Sequence, residues 1–124
     1  MPIDKYVAAA KGDLNKAARA VAFDLYNRLL IRSPVLTGRF RGNWQIGLNA
    51  VPGGVIAVEG IGQTAIEAQA KVGSFKIGDT INMTNNLPYA VALELGHSGQ
   101  APAGVVRITV KEFKGIVKKA AASV

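Results

Sequence analysis

The sequence predicts an α+β domain with segregated elements: a long N-terminal helix, a small antiparallel sheet, short helices and a C-terminal helix. Three observations predict it. Apolar residues recur at steps of three and four before the first proline-containing break. Two later stretches alternate with period two. Between and after them lie short segments punctuated by Gly, Pro and Asn, without the βαβ alternation of a parallel sheet.

The first element is carried by Leu14, Ala17, Ala18, Val21, Leu25 and Leu29, one stripe of an amphipathic helix. Asp13 after Gly12 is a candidate N-cap. Ile3, Val7 and Ala10 form an earlier short helix or continue the same one through Gly12. Ser33-Pro34 ends the helix, because a residue before proline is pushed out of the α region.

Val35 to Gly38 is a loop. Phe40, Gly42, Trp44, Ile46 and Leu48 then alternate with Arg41, Asn43, Gln45 and Gly47, which predicts a half-buried strand with Arg39, Arg41 and Asn43 on its outer face. Pro52-Gly53-Gly54 stops it, and Val55 to Val58 is a short strand or a loop. Gln63 to Val72 is helical in composition, and Gly73 is placed to close it. In Lys76 to Thr84, Ile77, Ile81 and Met83 share one parity, with Asp79 the exception, which predicts a second strand. Asn85-Asn86-Leu87-Pro88 is turn chemistry. Tyr89 to Leu95 is a short helix stopped by Gly96. From Val106 onward the apolar spacing fits a helix, and Val106, Ile108 and Val110 fit a strand equally well. Length and the Lys-Ala-rich end favour a helix from about Gly104.

At 124 residues the chain has the size of one domain, taken as residues 1–124. It has no cysteine and one histidine, which excludes disulfide staples, thiolate metal sites and multi-His metal sites. The start of the sequence lacks the apolar run of a signal peptide. No stretch reaches the roughly eighteen uninterrupted apolar residues of a membrane span. A soluble product made in the cytosol is expected. The balance is basic, with 15 Lys and Arg against 8 Asp and Glu. The excess is clustered: four arginines and no acid from Arg28 to Arg41, and five basic residues against Glu112 alone from Arg107 to the end. Such segments suit phosphates or an acidic protein surface, and equally the solvated face of a basic protein.

No catalytic constellation is visible. Glu94, His97 and Ser98 contain the residue types of a triad, but triads are assembled in space from separate elements. Gly60-Ile61-Gly62 lacks the third glycine and the lysine of a phosphate loop. The eight acids are scattered and suit caps and surface charges. No enzyme activity and no cofactor are expected. Arg39-Phe40-Arg41 and Trp44 offer the residue types of a single-strand nucleic-acid platform. Phe40 and Trp44 share one parity, however, and an apolar strand face is usually core.

Two segments stand out together. The first runs from Arg32-Ser33-Pro34 through Thr37-Gly38-Arg39-Phe40-Arg41-Gly42-Asn43-Trp44-Gln45. The second contains Asn85-Asn86-Leu87-Pro88-Tyr89-Ala90, Leu93-Glu94-Leu95-Gly96-His97-Ser98 and Gln100-Ala101-Pro102-Ala103-Gly104-Val105-Val106-Arg107. In order and spacing, behind a long N-terminal helix, they resemble the neck or tail-completion proteins of long-tailed phages, similar to the lambdoid minor tail protein Z group. The resemblance spans about residues 13–120. The sequence departs from it at Leu36, where the common pattern carries an acid, and at Leu95 and His97, where an aromatic is more usual.

The resemblance implies a structural protein of the virion. It would complete the head-proximal end of the tail and help join it to the head for genome delivery. It implies a ring, usually of six copies, beside the tail terminator and the connector, with the isolated protein a monomer. A head-closure or tail-terminator role at the same joint and a small basic nucleic-acid-binding module are the alternatives, and contact with channel DNA is a variant. The expected location is the virion, and the host cytoplasm during assembly. The partner-facing residues expected are Arg32, Arg39, Arg41, Asn43, Glu94, His97, Ser98, Gln100 and Arg107.

Overall fold

The computed structural model describes residues 3–34, 39–56, 62–95 and 104–122. Helix α1 spans Ile3–Arg32, 30 residues in one piece and about 45 Å long. It continues through Gly12, as the second of the two N-terminal readings has it. A mid-helix glycine costs about 1 kcal/mol relative to alanine, and the surrounding alanines, the best helix formers, offset it. The helix stops before Ser33-Pro34, as expected.

A short helix α2 (Arg39–Gly42) precedes strand β1 (Gln45–Leu48). The expected strand over 40–48 is therefore half right. Phe40 and Trp44 are four apart, which satisfies a period of two and also places both on one side of a helical turn. The backbone takes the turn: Asn43 N–H donates to the Phe40 carbonyl (3.1 Å) and Trp44 N–H to that of Arg41 (3.5 Å). Residues 55–56 form no strand, and 57–58 lie outside the described residues.

Helix α3 (Gly62–Gly73) buries Thr64, Ala68 and Val72, one residue per turn, against the sheet and α1. Strand β2 (Ile81–Thr84) pairs antiparallel with β1, Ile46 opposite Met83 and Leu48 opposite Ile81. It is shorter than the 76–84 expectation, and Asp79, the exception in the apolar parity, is the reason. Its carboxylate accepts from Lys76 N–H (2.9 Å) and from the Asn49 side-chain amide (3.1 Å), while Asp79 N–H donates to the Lys76 carbonyl (2.9 Å). The preceding residues are thereby folded into a turn. Gly47 has to lack a side chain, since an added Cβ would lie 2.6 Å from Pro52 Cδ.

Helices α4 (Ala90–Glu94), α5 (Val106–Lys111) and α6 (Phe113–Ala122) complete the chain. The helical reading after Gly104 holds, with a break at Glu112. The core joins Ala22, Tyr26, Leu29 and Leu30 of α1 to Phe40, Trp44, Ile46, Ala68, Val72, Leu87 and Val105. α6 lies along α1 and buries Ile116 and Ala120.

Candidate functional site

The two segments singled out in the sequence meet in space. The Asn85 side-chain amide donates to the Phe40 carbonyl (2.8 Å), and the Phe40 and Tyr89 rings lie 6.2 Å apart. Phe40 also meets Trp44 edge-on at 5.9 Å, close to the favoured aromatic geometry. Phe40 and Trp44 are both buried, so neither offers a face for base stacking.

The Trp44 indole N–H donates to Ser33 Oγ (2.7 Å), and Ser33 Oγ–H donates to the Leu29 carbonyl (2.6 Å). Tyr26 O–H donates to the Trp44 carbonyl (3.1 Å). Burial pushes the Tyr26 hydroxyl up to about 12. A buried polar atom without a partner is costly, and this chain of bonds satisfies four such groups while tying α1 to the start of β1.

Asn43 was expected to face outward, and the structure corrects this: it is fully buried. Its amide donates to the carbonyls of Arg39 (2.8 Å) and Ile56 (3.0 Å), and its oxygen accepts from Ile56 N–H (2.7 Å). The helical turn of α2 points it inward, where it holds the backbone around residue 56. Asn86 does the same for the neighbouring loop through the carbonyls of Pro52 (2.9 Å) and Gly54 (3.0 Å).

Glu94 closes the second segment. Its carboxylate accepts from the backbone N–H groups of Val105 (2.8 Å), Val106 (2.7 Å) and Arg107 (3.0 Å), the unsatisfied donors at the start of α5. Arg107 Nε adds a charged bond (3.1 Å), and its other nitrogen reaches the Glu94 carbonyl. Partial burial pushes the Glu94 pKa up. The three backbone bonds and the Arg107 bond outweigh that, and the net shift is down. Gly104 sits beside this cap at φ +86°, where an added Cβ would lie 2.6 Å from the Glu94 carbonyl oxygen.

Arg32 pairs with Glu112, which also accepts from Arg28 (2.6 Å); Arg28 in turn binds Asp24 (2.7 Å). Hydrogen bonding from Arg32 holds the Glu112 carboxyl below the usual range, against a smaller opposing effect of desolvation. Arg41 is half-buried and donates to the Ser33 carbonyl (3.2 Å). Arg39 is exposed. His97, Ser98 and Gln100 lie outside the described residues. Of the nine partner-facing residues expected, the structure thus brings Asn43, Glu94, Arg107, Arg32 and Arg41 into the internal bonding of the fold.

Sequence reasoning missed the Arg28–Glu112–Arg32 cluster, whose members are about 80 residues apart. The basic cluster read after Arg107 is placed on the surface: Lys111, Lys114, Lys118 and Lys119 are all exposed and in no ion pair among the described residues. Among the described residues no group of three or more His, Asp or Glu lies together as a metal site, and no helix is long and apolar enough to cross a membrane. No family model, no curated protein and no solved structure matches the chain.

Proposed function

We propose that this chain is a structural assembly protein of a long-tailed phage particle. In this reading it acts at the head-proximal end of the tail, completes the tail and helps join it to the head. The observation that carries the reading is the interlock of the two segments that resemble the neck and tail-completion proteins. Asn85 and Tyr89 of the second segment engage Phe40 of the first. Three described polar residues of the two segments hold loop ends and helix ends: Asn43 at Ile56, Asn86 at Pro52, Glu94 at Val105. That use suits a protein whose product is a rigid shape offered to neighbours. The exposed lysines of α5 and α6 supply the charge for an acidic neighbour, such as another copy, the tail terminator or the connector.

Deleting the gene from the parent phage or prophage tests the reading. Loss of infectivity with separate heads and tails, or with joined but non-infectious particles, is the expected result in electron micrographs of the lysate. Normal particles at normal titre would overturn it.

The exposed lysines of α5 and α6, in no ion pair among the described residues, favour one second reading, phosphate contact with duplex DNA. It predicts binding that weakens steeply between low and moderate salt. Absence of binding at low salt removes it.

A further inference from the structure

The first dozen residues of α1 form an arm with no packing partner among the described residues. Every side chain described between Ile3 and Leu14 is exposed, including Ile3 (56%), Val7 (48%) and Leu14 (56%). A dozen residues of unsupported helix are marginal in water, and three exposed large apolar side chains in one row need cover. Farther along the same helix lies the opposite feature. Ala18, Val21 and Leu25 floor an open apolar groove of about 300 Å³, walled by Phe75, Ile81 and Met83.

Arm and groove share one line. At about 100° per residue, Ile3, Val7, Ala10, Leu14, Ala18, Val21 and Leu25 fall within roughly 80° of arc. None of the seven is charged. Their intervals, 4, 3, 4, 4, 3 and 4, run the same from either end, with Leu14 at the centre. A stripe with that symmetry is complementary to a reversed copy of itself. A two-fold contact requires this property, since each patch must meet its own image.

We propose that two copies of this chain pair through α1, antiparallel, with Leu14 on the two-fold axis and each arm seated in the other's groove. Ile3 then packs against the partner's Leu25, and Val7 against the partner's Val21. The seam is about 33 Å long and about 10 Å wide. That is a few hundred Å² of apolar surface, the size at which exposed patches mark interaction sites. It falls short of the roughly 800 Å² per partner of a standard stable interface, so a weak, reversible pair is expected. The proposal goes beyond the assembly reading and does not depend on it.

The chain contains no cysteine, so a single introduced thiol reports on one position. Leu14→Cys lies at an exposed site and should be tolerated. Under mild oxidation it is expected to form a covalent dimer, while Ala9→Cys, also exposed but on another side of the helix, stays monomeric. Sedimentation equilibrium of the wild-type protein should show monomer and dimer, and Val7→Asp should raise the dissociation constant at least tenfold with the far-UV dichroism of the body retained. A wild-type monomer at several hundred micromolar would overturn the proposal. Equal cross-linking of the two cysteine variants would do the same, as would a larger ring without the Leu14→Cys cross-link. Infectivity of the deletion phage is a separate readout, so the two ideas fail independently.

Discussion

Glu94 and Arg107 approach each other from opposite ends of the 96–103 segment: the Glu94 carboxylate accepts from both the backbone and the guanidinium of Arg107, and that guanidinium also binds the Glu94 carbonyl. One carboxylate thus serves as the cap of α5 and as the clasp that ties α4 to it.

Removing the clasp should be costly and pH-dependent. Glu94→Gln keeps the shape but loses the charge at the helix start, and a loss of about 1–2 kcal/mol is expected at neutral pH. The folded-state pKa of Glu94 is depressed, so its contribution is complete above the unfolded value of about 4.3. It declines as pH falls through the folded value. Urea melts of wild type and variant should differ most near neutrality and converge in acid. A difference constant from pH 7 down to pH 3 would remove the capping role.

Two glycines give opposite results on replacement by alanine. Gly104→Ala forces a Cβ into a left-handed conformation and against the Glu94 carbonyl, and should lose about 2 kcal/mol. Gly115→Ala, in α6 with open space around it, should gain about 0.5–1 kcal/mol. Thermal melts of the pair check both signs.

Much of this architecture was legible in the sequence. The long α1 helix, the stop at Ser33-Pro34, the turn chemistry at Asn85-Asn86 and the helical C-terminus follow from local spacing and local backbone chemistry, which a sequence displays directly. The Leu14–Leu29 stripe did not give the buried face of α1, which is Ala22, Tyr26, Leu29 and Leu30. The misreadings came where one pattern satisfies two geometries: Phe40 and Trp44 fit a strand face and a helical turn alike. The roles of Asn43 and Glu94 were hidden for another reason. Each is defined by backbone groups more than ten residues away, and only the folded chain brings those groups within reach.

Asn43→Ala should be among the most damaging polar-to-alanine changes. It leaves the half-buried Ile56 N–H without its acceptor and empties the buried Asn43 site, for a loss of about 1–2 kcal/mol. Hydrogen exchange at Ile56 should accelerate more than exchange in α6; uniform acceleration would mean that Asn43 supports the whole fold and not this loop.

Alkaline pH should act through Tyr26. Its pKa is raised to about 12 by burial, so stability is unaffected below the unfolded value of about 10 and is lost as pH rises from there through about 12. Ultraviolet titration should show Tyr26 ionising late, and Tyr26→Phe should abolish that late step. A late step surviving in the variant would assign it to another tyrosine.

Trp44 is the single tryptophan of the chain, and it is 6% exposed where α1, α2 and β1 converge. Its fluorescence is therefore a built-in gauge of the body alone. The Ile3–Leu14 arm lies too far along α1 to quench or expose the indole, yet it supplies a share of the far-UV helical signal. Melting followed by emission wavelength and by dichroism in parallel will separate fraying of the arm, which dims the second signal only, from collapse of the body, which shifts both.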